Sequence, residues 1–277
     1  MVIMPSFNNK SPAMTHHICH NPEEYRPTVC IVNVTDLLIL RAIANYASTY
    51  PKVRIATAIP ISYDRYSRRH PAPKQLRQSL RHENPLIGPR RIRKIIYFDS
   101  SDPNNLFEHI KNMLCLTQIE PDAILFNLPW PPIRQLEKIR VVYPSIDLIL
   151  KIDPCAYDIA HRSPRNVMKR LNSYRLLIDE VLLKPKNREM TEPIDLTSAA
   201  ELIEYLSDCA GWLSLAVAGG FNEMSLDPLR EFLKSKAGVG IFAYKQLVGR
   251  PEMGPDIEVC CSFLDMIRTA YPKRALY

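Results

Sequence analysis

Short apolar runs alternate with longer amphipathic segments along most of the chain. The runs are rich in Val, Ile and Leu, and a length of about six residues is typical of strands buried on both faces. Eight such runs are found, at residues 29–34, 53–60, 94–99, 123–128, 148–153, 179–184, 213–218 and 239–244. Several segments between them repeat apolar residues at three- and four-residue spacing, and they predict helices at residues 36–48, 104–116, 132–142, 164–174, 198–209, 227–234 and 256–270.

Strands that alternate with helices are typical of a parallel sheet, because each helix carries the chain back across the sheet. Eight of them close most simply into a single (βα)8 barrel, the TIM-barrel architecture of the α/β class. An open, doubly wound sheet is the alternative, but no G-x-G-x-x-G motif follows the first strand, and we expect no cofactor. Residues 1–27 lack periodicity and are predicted to be an irregular N-terminal leader, which leaves residues 28–277 for the barrel domain.

The connection after the second strand, residues 61–93, is long and strongly basic. Residues 62–94 hold ten Lys or Arg and only two acidic residues, Asp64 and Glu83. Such a charge attracts a small anionic substrate, an acidic partner or nucleic acid, although a solvated loop without a partner has the same composition. Nucleic-acid sites usually interleave aromatic residues with basic ones. Since only Tyr63 and Tyr66 do so here, nucleic acid is not the expected partner.

Composition excludes several other classes of protein. Of the 277 residues, 46% are hydrophobic and 23% are charged, which is ordinary for a globular protein. No apolar run approaches the roughly 18 residues of a membrane span, and no signal pattern opens the chain. Seven cysteines without a C-x-x-C pair predict reduced thiols and a cytoplasmic location. His16, His17, Cys19 and His20 lack a second group of ligands at zinc-finger spacing, so we expect no metal; a homodimer is left open.

Barrel enzymes place their chemistry at the C-terminal ends of the strands and in the loops that follow. Polar residues at these positions are therefore the candidates for a site. The predicted catalytic residues are Lys184, Asp153, Lys151 and Asp99. The predicted substrate-binding residues are Arg65, Asn33, Asn127, Gly219, Gly220, Asn222 and Lys245.

Two features among these positions, the glycine pair and Lys184, carry most of the expectation. Gly219 and Gly220 follow the seventh strand, where backbone N–H groups can approach an anion ahead of a helix; a tight turn that needs positive φ is the alternative. Lys184 ends the apolar run of the sixth strand and should point into the barrel mouth. A lysine among apolar neighbours can lose its charge and become a nucleophile, whereas a rim lysine or a phosphate counter-charge is the alternative.

Two local strings carry a resemblance to a known family. Residues 215–226 (LAVAGGFNEMSL) and 61–71 (ISYDRYSRRHP), together with the closing segment 249–270, resemble phosphoribosylanthranilate isomerase, a barrel of tryptophan biosynthesis that performs an Amadori rearrangement. The resemblance covers most of residues 29–270. It implies a phosphate site at the glycine pair and a carboxylate contact at Arg65.

The chain departs from this family at both catalytic positions. The family's base is a cysteine at the end of the first strand and its acid is an aspartate at the end of the sixth, where this sequence has Val32 and Lys184. Cys30 would share the face of Val32 but lie one layer deeper in the barrel. An Amadori rearrangement needs a paired acid and base, so the scaffold and part of the ligand site are expected to remain while the original reaction is not.

Three functions follow from these observations. The leading hypothesis is a diverged isomerase or lyase for a small carboxylated or phosphorylated substrate, in which Lys184 forms an imine or acts as an acid. Lys151 would lower its pKa, and Asp153 would carry a proton. The second is retained isomerase activity through substitute residues, with Asp99, Asp153 or Asp36 as acid or base. The third is a non-catalytic protein that binds a phosphorylated metabolite or nucleic acid.

Overall fold

The computed structural model describes residues 26–32, 34, 37–49, 53–66, 92–117, 119–184, 196–220, 223–236, 238–244 and 257–271. The strands are Thr28–Val32 (β1), Arg54–Ser62 (β2), Arg93–Asp99 (β3), Ala123–Phe126 (β4), Asp147–Ile152 (β5), Glu180–Leu183 (β6), Ser214–Gly220 (β7) and Gly240–Tyr244 (β8). The helices are Leu37–Thr49 (α1), Tyr63–Tyr66 (α2), Leu106–Thr117 (α3), Ile133–Val142 (α4), Pro154–Ile159 (α5), Pro164–Asn172 (α6), Leu196–Cys209 (α7), Glu223–Ser235 (α8) and Ile257–Ala270 (α9).

The eight strands form a closed parallel barrel in sequence order, which confirms the predicted (βα)8 fold. Each strand pairs with the next, and β8 closes the barrel by pairing with β1. A path that starts at one residue of β1 and steps from each strand to the paired residue of the next returns to β1 eight residues away from its start. This offset of eight residues is the shear of (βα)8 barrels. This shear tilts the strands, so the side chains inside the barrel lie in layers.

The core consists of two layers separated by the strands. One lies between the strands and the surrounding helices and contains most of the buried Val, Ile and Leu side chains. The other fills the barrel and combines small side chains with a few large ones, among them Ile95, Tyr97 and Phe242. Because successive side chains of a strand point to opposite faces, the inward positions of β3 continue from Tyr97 to Asp99 at the C-terminal end.

Strand β2 is longer than its pattern predicts. The prediction ends it at Pro60, whereas Ile61 and Ser62 still pair with β3. Proline is usually excluded from inner strands because it lacks an N–H donor. It is tolerated here because β1 pairs with β2 only as far as Ala58, so no partner on β1 needs a donor from Pro60.

Strand β7 is also longer, and this corrects the expected position of the glycine pair. Gly219 and Gly220 are the last two residues of β7 and pair with Ala243 and Tyr244 of β8, rather than forming the turn that follows. They still lie at the C-terminal end of the barrel.

Helix α5 was not predicted from the sequence. The Asp153 side chain accepts a hydrogen bond from the Ala156 N–H, and Pro154 occupies the first turn. Both features favour a helix start, so the residue interpreted as a strand end is also a helix cap.

Several predicted features lie outside the described residues. They include residues 1–25 of the leader with its His and Cys cluster, residues 67–91 of the basic connection, residues 249–256 of the closing segment, Asp36, and the binding candidates Asn33, Asn222 and Lys245. In the described part of the chain, no helix is both long and apolar enough to cross a membrane. The described residues also contain no group of three or more His, Cys, Asp or Glu side chains that could hold a metal ion.

Candidate functional site at the barrel mouth

Four of the predicted site residues meet at the C-terminal end of β3, β4 and β5. They are Asp99, Asn127, Lys151 and Asp153, and each occupies an inward position of its strand or the residue that follows it. Tyr97 joins them from β3, one inward position below Asp99. We call these five residues the mouth cluster.

Lys151 is the centre of the mouth cluster. Its side chain is buried, with 7% of its surface exposed, and its ammonium lies 3.0 Å from Asp153 Oδ2. The ammonium also donates to the Tyr97 hydroxyl at 3.3 Å and to Asn127 Oδ1. A lysine ammonium has three N–H donors, and these three contacts use all of them.

The same contacts decide the charge of Lys151. Burial disfavours the ammonium, but Tyr97 and Asp153 outweigh burial and raise the pKa of Lys151 above its ordinary value. Lys151 is therefore charged at neutral pH and is not itself an amine nucleophile.

Tyr97 keeps its proton in this environment. Burial raises the pKa of its hydroxyl, and the opposing attraction of Lys151 does not overcome that effect. The neutral hydroxyl donates to Asn127 Oδ1 at 2.6 Å. Tyr97 was missed in the sequence. The available signal was its parity with Asp99, because residues two apart on a strand face the same side.

The contacts of Asn127 hold a neighbouring carboxylate. Its amide oxygen faces Lys151 and Tyr97, and its amide nitrogen donates to Asp99 Oδ1 at 3.2 Å. Lysine has no acceptor, so the oxygen must face Lys151 and the nitrogen must face Asp99. Asn127 therefore orients Asp99 through its amide nitrogen, while its oxygen contacts Lys151 and Tyr97; its predicted role in substrate binding stays a prediction.

Asp153 has two partners that divide its carboxylate. Oδ2 pairs with Lys151, while Oδ1 accepts the Ala156 N–H at 2.9 Å and caps α5. Lys184 is the residue directly after β6. Its backbone N–H donates a hydrogen bond to Ile152 O at 2.9 Å. This bond extends the β5–β6 ladder, so Lys184 lies on the strand beside Lys151 and Asp153, at the end of the barrel where the prediction placed it.

The start of the basic connection is attached to the same end of the barrel. The Ser101 N–H donates to Asp64 Oδ2 at 3.0 Å, and the Tyr63 ring stacks on His109 with centroids 3.8 Å apart. These contacts fix α2 on β3 and α3. Arg65 lies in α2, so its backbone is near the mouth.

The first strand offers no acid or base at the mouth. Val32 has the same parity as Cys30 and is nearer the C-terminal end, where the family's base would lie. Cys30 is fully buried below it. Burial, together with Glu180, raises the pKa of its thiol well above the ordinary value and outweighs the attraction of Arg93. Cys30 is thus a deep, protonated core thiol, as its position in the sequence predicts.

A second cluster of charged side chains, centred on the buried Arg93, lies at the opposite, N-terminal end of the barrel. Arg93 is 5% exposed and bonds Glu180 Oε2 and Asp147 Oδ2, each at 2.7 Å, with Thr28 Oγ1 at 3.0 Å. Burial disfavours the charge, but Glu180 and Asp147 outweigh it and raise the pKa of the guanidinium. Counted in the sequence as part of the basic connection, Arg93 in fact begins β3 and supports the closed N-terminal face.

Comparison with known proteins yields the fold and nothing finer. No protein-family model matches the chain, and no curated protein matches it. Among solved structures, it is similar to tryptophan synthase from M. tuberculosis in its aminoacrylate-bound form, with a TM-score of 0.53 and 10% identity over 89% of this chain and 94% of that one. The chain is a (βα)8 barrel. It is also similar to a Rubisco-like protein from Rhodopseudomonas palustris, with a TM-score of 0.53 and 13% identity over 91% and 66% of the two chains.

Proposed function

We propose that the protein is an enzyme of the isomerase or lyase type that acts on a small carboxylated or phosphorylated substrate by lysine chemistry at the barrel mouth. One observation carries the proposal. A buried, charged lysine, Lys151, is held by Tyr97, Asn127 and Asp153 at the C-terminal end of the barrel, beside a second lysine on the next strand. In (βα)8 barrels this end carries the chemistry, whereas the N-terminal face serves stability.

The two lysines have different roles in this proposal. Lys151 uses its three donors within the protein, so it supplies a fixed positive charge. Lys184 is the group that reacts, either as an acid or by attacking a substrate carbonyl, which forms an imine and releases water. Asp153, directly after β5, and Asp99, at the end of β3, would carry protons. A positive charge on Lys151 would lower the pKa of Lys184, but the pairing of Lys151 with Asp153 reduces this effect.

Other groups at this end would hold the anionic parts of the substrate. Among the described residues, the candidates are Arg65 and the glycine pair of β7. Asn33, Asn222 and Lys245 stay candidates from the sequence alone. The strings that resemble phosphoribosylanthranilate isomerase support this part of the proposal. Val32 and the buried Cys30 weigh against that family's own reaction, because neither can serve as a base at the mouth.

Borohydride trapping tests the proposal directly. The protein is incubated with a panel of phosphorylated sugars and keto acids, reduced, and mapped by peptide mass spectrometry. We expect an adduct on Lys184, its loss in Lys184→Met, and its retention in Lys111→Met, a surface control. Lys151 should not react because it is charged. Full turnover of a substrate by Lys184→Met would exclude this lysine chemistry.

Complementation separates the proposal from retained family activity. A tryptophan auxotroph that lacks phosphoribosylanthranilate isomerase should not grow when it expresses this protein. Growth that depends on Asp99 or Asp153 would show instead that the family reaction proceeds through substitute residues.

A further inference from the structure

Trp130 has a strained backbone in the loop between β4 and α4. Its φ is 50°, in the left-handed region that bulky side chains rarely adopt. The next residue is Pro131, and the position before a proline is restricted as well. Such strain persists only where the surrounding contacts hold it, and it is found most often at functional sites.

The contacts that hold Trp130 come from two later segments of the chain. Its indole N–H donates to Ala156 O at 2.8 Å. The Arg170 guanidinium lies over its ring at 5.4 Å, and the Tyr174 ring packs against it at 5.8 Å. The Tyr174 hydroxyl also donates to Pro131 O at 2.8 Å, which fixes the loop on the other side.

These contacts join the two connections whose residues hold Lys151. The loop that contains Trp130 begins at Asn127, which accepts from Lys151. Helix α5 contains Ala156, whose N–H is bound by Asp153 Oδ1 and whose carbonyl accepts the indole N–H. The connections after β4 and β5 are therefore joined twice, once inside the barrel by Lys151 and once outside it by Trp130.

We infer that Trp130 is a positioning residue, whose indole N–H locks α5 and thereby holds the Asp153 carboxylate against Lys151. The consequence for catalysis rests on the proposed function, but the lock itself does not. An aromatic ring in an ordinary conformation would suffice for packing. The strained conformation directs the N–H to one carbonyl, two residues beyond the proline that follows Asp153.

Hydrogen exchange tests the lock without a substrate. Trp130→Phe keeps a ring against Arg170 and Tyr174 but removes the N–H. We expect the Ala156 amide to exchange about 5-fold faster relative to the amides of β4, the factor that corresponds to one lost hydrogen bond. Trp130→Gly, which removes the strain along with the indole, should give at least the same increase. The matched control is Trp212→Phe, at the other tryptophan, which should leave the ratio unchanged.

Two results would overturn the inference. One is an unchanged exchange ratio in Trp130→Phe, and the other is a wild-type ratio in Trp130→Gly. With a substrate found by trapping, Trp130→Phe should lower kcat more than it raises KM, whereas a purely structural role would lower stability and leave kcat per folded molecule unchanged. Failure of the trapping experiment would remove the proposed reaction, and the exchange ratio would still decide whether the lock exists.

Discussion

Substitution of Lys151 by Met removes the charge at the centre of the mouth cluster and keeps a side chain of similar length. It leaves the Asp153 carboxylate without its partner at 3.0 Å, and it removes a donor from Tyr97 and Asn127. Breaking a fully buried pair in this way costs about 3–5 kcal/mol. Because the Asp153 side chain is 20% exposed and keeps its bond to α5, we expect a loss of about 2–3 kcal/mol in unfolding free energy.

A double-mutant cycle isolates the ion pair from the rest of the change. In Lys151→Met/Asp153→Asn, the uncompensated carboxylate is replaced by a neutral amide whose oxygen can still cap α5. The double variant should therefore lose less stability than the sum of the two single variants, by about 1–2 kcal/mol. The matched control is Lys111→Met. Lys111 forms an exposed pair with Glu108 at 3.6 Å, and its loss should cost less than about 0.5 kcal/mol.

The stability difference between wild type and Lys151→Met should depend on pH, and the sign of this dependence follows from the pKa of Lys151. The pKa of Lys151 is higher in the folded protein than its ordinary value, so the charged form stabilises the fold. That stabilisation is complete below the unfolded-state pKa of about 10.4 and is lost as pH rises through the folded-state value. The stability difference between wild type and Lys151→Met should be constant from about pH 7 to 9.5 and should narrow above about pH 10.5.

Thermal unfolding followed by circular dichroism measures these differences. For a chain of this size, about 2–3 kcal/mol corresponds to a decrease in Tm of about 4–6 °C. Two results would refute the reasoning: an unchanged Tm in Lys151→Met at pH 7, or single-variant losses that add without coupling. Either would mean that the contacts of Lys151 with Asp153 do not contribute to the folded state.

Two further predictions concern the rest of the barrel. Arg93→Met should lower the free energy of unfolding by about 3–5 kcal/mol, because it leaves Glu180 unpaired at the N-terminal end of the barrel. The kcat per folded molecule should stay the same. Tm measures the first effect and turnover the second. Gly240→Ala should lower the free energy of unfolding by at least about 1–3 kcal/mol, because the added Cβ would lie 2.6 Å from the Thr28 carbonyl oxygen. The control is Gly211→Ala, whose added Cβ would meet nothing within 4 Å and should change Tm little. Similar Tm values for the two alanine variants would contradict the close approach at Gly240.

The register explains why the mouth cluster could be predicted only in part. Period-two alternation places Asp99 and Lys151 on the inward faces of their strands, and a position at a strand end is visible in the sequence. Which of these groups touch is not visible, because contact depends on the offset between neighbouring strands. That offset brings Tyr97 and Lys151 together across 54 residues of sequence, and it places the amide of Asn127 against Asp99.

The sequence by itself determined the eight strands, their alternation with most of the helices, and the presence of polar groups at the C-terminal strand ends. These features depend on local apolar runs and amphipathic spacing, which each segment contains on its own. Only the tertiary structure separated the two buried charge clusters, since Arg93 meets Glu180 across 87 residues. Only the packing of later segments against the loop after β4 decided the conformation of Trp130, because its strain is offset by contacts with Ala156 and Tyr174.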